Sequence, residues 1–132
     1  MILPRTKSRE INNQDTLSYK FEPFMDDQEF QTCAGEALHD LYKRLNAAGD
    51  THEFEADFNS GALAIEFEEP PAKFVVSPNS PVRQIWVSAH SKSFKLDWNA
   101  GREEFVLAGT GQSLAEMVSG AISQQLGQEV KL

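Results

Sequence analysis

The sequence predicts an α+β domain: a two-layer α-β sandwich with two terminal helices packed on one face of an antiparallel sheet of about six strands. Three observations carry this. Apolar residues recur at helical spacing near both ends of the chain, strand-like alternation fills the stretch between, and the strands are separated by tight turn sequences that suit antiparallel neighbours.

The first helix starts from Asp26, which with Glu29 three residues on forms a capping box. Phe30, Ala34, Ala37, Leu38, Leu41 and Leu45 then mark one face, and Gly49 is placed to end it. The stretch THEFEADF follows, with Phe54, Ala56 and Phe58 on one side of an extended strand and Glu53, Glu55 and Asp57 on the other. Asn59-Ser60-Gly61 is a turn signal, and Ala62–Glu68 returns with Leu63, Ile65 and Phe67 on a single face, completing a hairpin. Further strands are expected at 73–77, 84–89, 93–98 and 104–108, with turns at Pro78-Asn79-Ser80-Pro81 and Asn99-Ala100-Gly101. Ser113 with Glu116 caps a second helix whose apolar residues are Leu114, Met117, Val118, Ala121, Ile122 and Leu126, closed by Gly127.

Residues 1–24 are polar and without sustained period, so they read as a flexible N-terminal extension, and residues 25–132 as one domain. The single cysteine, Cys33, has no partner for an internal disulfide, and no run of about 20 apolar residues is present. The expected setting is the cytoplasm of a bacterium, with an organelle matrix the less favoured alternative.

The net charge of −8 is segregated: residues 25–70 carry −10, while the stretches before and after carry +1 each. Such a field repels nucleic-acid phosphates and attracts a cationic protein surface or metal cations. On the first helix Asp26, Glu29, Glu36 and Asp40 share a sector flanking the apolar stripe. With Asp27 and the strand residues Glu53, Glu55 and Asp57 they form a candidate acidic surface for hard cations, held weakly because open carboxylates build no closed cage. The plainer reading is that the acids near the helix start favour its dipole and those on the strand discourage edge-to-edge pairing. In PVRQIWVS, Ile85 and Val87 share one face, which puts Gln84, Trp86 and Ser88 on the other beside Arg83: a candidate partner contact, or else a Trp packed on Phe105 or Trp98. Cys33 sits at the border of the apolar stripe near Glu29 and Glu36, where a thiol is poorly activated. His39 and His52 read as surface groups, with His52 opening the acidic strand.

These motifs together resemble the frataxin family, in particular its bacterial members, from Met25 to the C-terminus. The resemblance lies in MDDQEF at the helix start, FNSGALAIEF across the hairpin, PVRQIWVS with its Gln-Ile-Trp core, LDWNAGREEFVL, and GQSLAEMV at the last helix. It implies an acidic ridge at Asp27, Glu29, Glu53, Glu55 and Asp57, weak ferrous or ferric iron binding there, and docking to a cysteine desulfurase and the scaffold on which iron–sulfur clusters are built. Trp86 corresponds to the sheet-surface Trp of the scaffold contact. Where relatives carry further acids late in the first helix, this chain has Tyr42, Lys43, Asn46 and Ala47. The expectation is an iron-binding regulator or adaptor of cluster assembly, monomeric and without nucleic-acid or membrane partners. The alternative is a metal-independent acidic interaction module. Ferroxidase chemistry is not expected, because such a centre gathers Glu and His inside a helix bundle, whereas Glu36 and His39, the one Glu-x-x-His pair here, lie outside the apolar stripe of a single helix.

Overall fold

The computed structural model describes residues 25–132, so the flexible extension expected over 1–24 lies outside the described residues. The order is α1 (Asp27–Gly49), β1 (Glu55–Asn59), β2 (Ala62–Glu68), β3 (Pro71–Asn79), a 3-10 turn (Ser80–Val82), β4 (Gln84–Ala89), β5 (Lys92–Asn99), β6 (Glu104–Leu107) and α2 (Leu114–Leu126). The six strands form one sheet in chain order, each antiparallel to the next. Buried residues of both helices and of one sheet face make a single cluster, which is the α+β sandwich expected.

Both capping boxes are present. Asp26 accepts from the Glu29 amide at 2.8 Å while Glu29 accepts from the Asp26 amide at 3.0 Å, and Ser113 and Glu116 do the same for α2. Gly127 closes α2 at a φ of 71°. Gly49 plays a different part from the one expected. It stays helical, with Asp50 as the cap, and a Cβ on it would stand 3.1 Å from the Phe54 carbonyl oxygen. Glycine lets the chain turn back this closely, so that Phe54 reaches the core without its carbonyl being pushed aside.

The β1–β2 loop is Ser60-Gly61, with φ of 55° and 82°, the two positive values that let a two-residue turn match the strand twist. β3 is longer at both ends than the expected 73–77, since the reversal is made by the 3-10 turn and by Arg83 in a left-handed conformation at φ 55°. Alternation then assigns the faces. Leu63, Ile65, Phe74, Val76, Ile85, Val87, Leu96 and Phe105 turn inward against Phe30, Ala34, Leu38, Leu41 and Leu45 of α1 and Met117, Val118 and Ile122 of α2.

Beyond α2 the chain folds back so that Val130 is buried. Its N–H donates to the Ser123 hydroxyl at 2.8 Å, and its carbonyl accepts from the hydroxyls of Ser119 and Ser123. Ending the chain at Glu129 is expected to lower the unfolding free energy by about 2–3 kcal/mol, chiefly the lost valine burial. A urea titration showing an unchanged midpoint would contradict this.

Candidate acidic edge and open sheet face

β1 is an edge strand whose inward side chains, Phe54, Ala56 and Phe58, meet the helix layer, so Glu55 and Asp57 project from the open face. The hairpin register sets Glu55 directly opposite Glu66, a like-charge pair that costs stability. Glu68 and Glu69 follow, and a cleft of about 480 Å³ at this end is lined by His52, Glu53, Glu55, Glu66, Glu68 and Glu69 together with Gly49, Phe54 and Phe67. Among the described residues the one ion pair these carboxylates make is that of Glu66 with Lys73, at 3.9 Å, an exposed pair worth little. His52 has its Nδ1 buried without a hydrogen-bond partner. Sequence reasoning singled out Glu53, Glu55 and Asp57 but passed over Glu66, Glu68 and Glu69. The signal was available: the alternation that turns Leu63, Ile65 and Phe67 inward turns Glu66 and Glu68 outward, and a hairpin lays them beside β1.

The helix carboxylates are placed differently. Asp26 and Glu29 are engaged in the capping box, Asp27 lies 3.7 Å from the Arg83 guanidinium, and Asp40 is bonded to Arg44 at 2.8 Å. The flank of α1 that meets β1 carries His39 and Tyr42, whose rings lie 5.9 and 5.7 Å from that of Phe58. Glu36 and Asp40 are on the other flank, where they line a cleft with Cys33, Trp98, Glu103, Glu104 and the first residues of α2. Since β1 and β6 are opposite edges, the single acidic surface expected from helix and strand together divides into two.

Burial, and then the charges of Glu36, Glu29 and Glu103, hold the Cys33 thiol above its ordinary range. Alkylation near neutral pH is therefore expected to be slower than for an unperturbed thiol, and Glu36→Gln, which removes one repelling charge, is expected to speed it. A pH series of labelling rates in both proteins checks the sign.

Trp86 lies on the open face, opposite in parity to the core residues Ile85 and Val87. Its indole N–H donates to the Gln84 side-chain oxygen at 2.9 Å, the Gln84 amide donates to Asp97 at 3.0 Å, and the Lys95 ammonium stands 5.0 Å from the ring centroid. The residue packed on Phe105 is Trp98, with ring centroids 5.1 Å apart. Ser88 is exposed beside Trp86. Arg83, expected as part of the same contact, is instead bonded to the Ser80 carbonyl and paired with Asp27, so its side chain is engaged within the molecule. Trp86 and the acidic edge share one face, with Ala64 and Val75 lying across the sheet between Asp57 and Ser88.

Among the described residues no group of three or more His, Cys, Asp or Glu is gathered to hold one metal ion, and no helix is long and apolar enough to cross a membrane. The carboxylates fit loose, exchangeable contact with hard cations rather than a closed coordination sphere.

Residues 23–128 match the frataxin-like domain. The chain belongs to the frataxin-like family. Relatives named iron-sulfur cluster assembly protein CyaY occur in Tolumonas auensis, 28% identical over 82% of this chain and 99% of that one, and in Cupriavidus metallidurans, 30% identical over 80% and 94%. A third, from Azotobacter vinelandii, is 24% identical over 73% and 88%. The solved structure of the frataxin from Psychromonas ingrahamii superposes with a TM-score of 0.69 at 23% identity, covering 81% of this chain and 97% of that one, and so shares the fold. In this frataxin-like chain the two faces of the sheet differ in character. One is occupied by the core, and the other presents charge at one margin and an indole nearer its centre.

Proposed function

We propose that this frataxin-like protein serves iron–sulfur cluster assembly as a non-catalytic adaptor. Its acidic β1–β2 edge docks in a basic groove of a cysteine desulfurase, and the open face around Gln84, Trp86 and Ser88 meets the scaffold protein. The assembly role is supported by the names of its relatives. The docking role is carried by one observation: carboxylates that pair with a single cation among the described residues share an open face with a half-buried Trp. A row of like charges held at a cost to folding suits attraction of a cationic surface, which speeds and orients encounter. The chain acts in this reading as a monomer in a bacterial cytosol.

Iron enters the proposal as weakly held cargo at Glu53, Glu55, Asp57, Glu66 and Glu68. The helix acids contribute less, since Asp26, Asp27, Glu29 and Asp40 already have partners within the chain. Anaerobic titration with ferrous iron, followed through backbone amide resonances, is expected to move the five edge positions first. If they stay put while distant groups respond, the iron role is wrong. The scatter of the carboxylates favours a second reading, a metal-independent interaction module. Desulfurase binding that is strongly salt-dependent yet indifferent to chelator would select it.

Trp86→Ala is expected to weaken scaffold binding by about 2 kcal/mol, roughly 30-fold, at a cost to folding of about 1 kcal/mol or less. Calorimetric titration against the scaffold, with a parallel melt, separates the two effects.

A further inference from the structure

We propose that the cleft between α1, β6 and the start of α2 is a docking groove for the chain's own basic stretch Arg5-Thr6-Lys7-Ser8-Arg9, an inference independent of the function proposed above. The groove holds about 350 Å³. Ala37, Leu41, Trp98 and Phe105 give it an apolar, aromatic floor, and Glu36 and Glu103 stand on its rim. The other two rim carboxylates, Asp40 and Glu104, are paired with Arg44 and Arg102, whereas Glu36 and Glu103 meet no cation among the described residues. A guanidinium fits such a place well, because it stacks on an indole while donating to carboxylates. Residues 5–9 hold three basic side chains and no acidic one, and nowhere else in the sequence do three fall within five residues.

Reach decides between this groove and the more acidic β1–β2 edge. At 1.5 Å per residue, Cys33–Arg44 lies ~12–28 Å along α1 from Met25, whereas the Glu55–Glu66 end of the edge, whose cleft Gly49 lines, lies ~36 Å away; only Asp57, next to Phe58 and so level with His39 and Tyr42, is nearer. Fifteen residues separate Arg9 from Met25, and a coil of that length has a root-mean-square span of ~20–23 Å. That span matches the groove and falls short of the Glu55–Glu66 end of the edge, where most of its carboxylates gather, and a tether that matches gives the highest effective concentration. The individual ion pairs are weak, so the dock is released by salt.

The test uses the full chain carrying Cys33→Ala and Thr6→Cys, with a nitroxide on residue 6 and the remainder labelled for amide and indole spectra. The expected result is paramagnetic signal loss at Ala37, Glu103, Ser113 and the Trp98 indole. The signals return at ~0.5 M salt, and the loss disappears when Arg5, Lys7 and Arg9 are all replaced by Ser. Loss centred on Glu55 and Glu66, or none beyond the start of α1, overturns the proposal. So does loss that appears only between spin-labelled and isotope-labelled copies in a mixed sample, since the occupant would then be a second molecule.

Discussion

Replacing Phe30 with Ala is expected to lower the free energy of unfolding by about 3–5 kcal/mol, the cost of a large cavity in a packed core. Phe30 is fully buried one turn after the Asp26 cap and meets Phe105 edge-on at 5.9 Å, and Phe105 in turn meets Trp98. The ring therefore ties the start of α1 to β6 and β5 at once, and its loss leaves Phe105 without its neighbour. For a domain of this size the melting point is expected to fall by roughly 15–30 °C. A calorimetric scan showing a drop of only a few degrees would mean that the helix start collapses into the space.

Glu55→Lys combined with Asp57→Lys is expected to separate folding from docking. The first change turns the like-charge pair with Glu66 into an attractive one, for a gain of about 0.5–1 kcal/mol. Both positions are exposed on an edge strand, so neither disturbs the core. Affinity for a desulfurase is expected to fall about 10–100-fold at low salt, mainly through a slower on-rate, and the difference should shrink as salt is raised. Melting curves and binding kinetics at two ionic strengths read the two effects. A protein that melts higher and binds as before would remove the edge from the docking surface.

Much of the architecture was legible because local chemistry and tertiary structure agree. Asp26 with Glu29 and Ser113 with Glu116 announced both helix starts, Ser60-Gly61 the hairpin, and period-two alternation the inward face of β2, β3 and β4. Three things were not legible. Gly49 reads as a left-handed cap, but the approach of the Phe54 carbonyl, which explains it, is a contact between elements. Arg83 reads as a neighbour of Trp86, yet its left-handed backbone aims it at Asp27 and Ser80. A helical wheel orders the residues around α1 but does not say which flank lies over which sheet edge. The rings of His39, Tyr42 and Phe58 decide that, and they send Glu36 and Asp40 away from Glu55 and Asp57. Within the sheet the face of Glu55 and Asp57 followed from parity, because strand pairing leaves no rotational freedom to resolve.

Carboxylates gather at two opposite margins of the sheet, Glu55, Asp57 and Glu66 beside β1 and Glu36 and Glu103 beside β6. The width of six strands, about 24 Å, separates them, which exceeds the screening length of roughly 8–10 Å, so a charged body at one margin leaves the other unshielded. Seating residues 5–9 in the groove beside β6, as proposed above, would therefore leave the pull of the β1 margin on a cationic body undiminished.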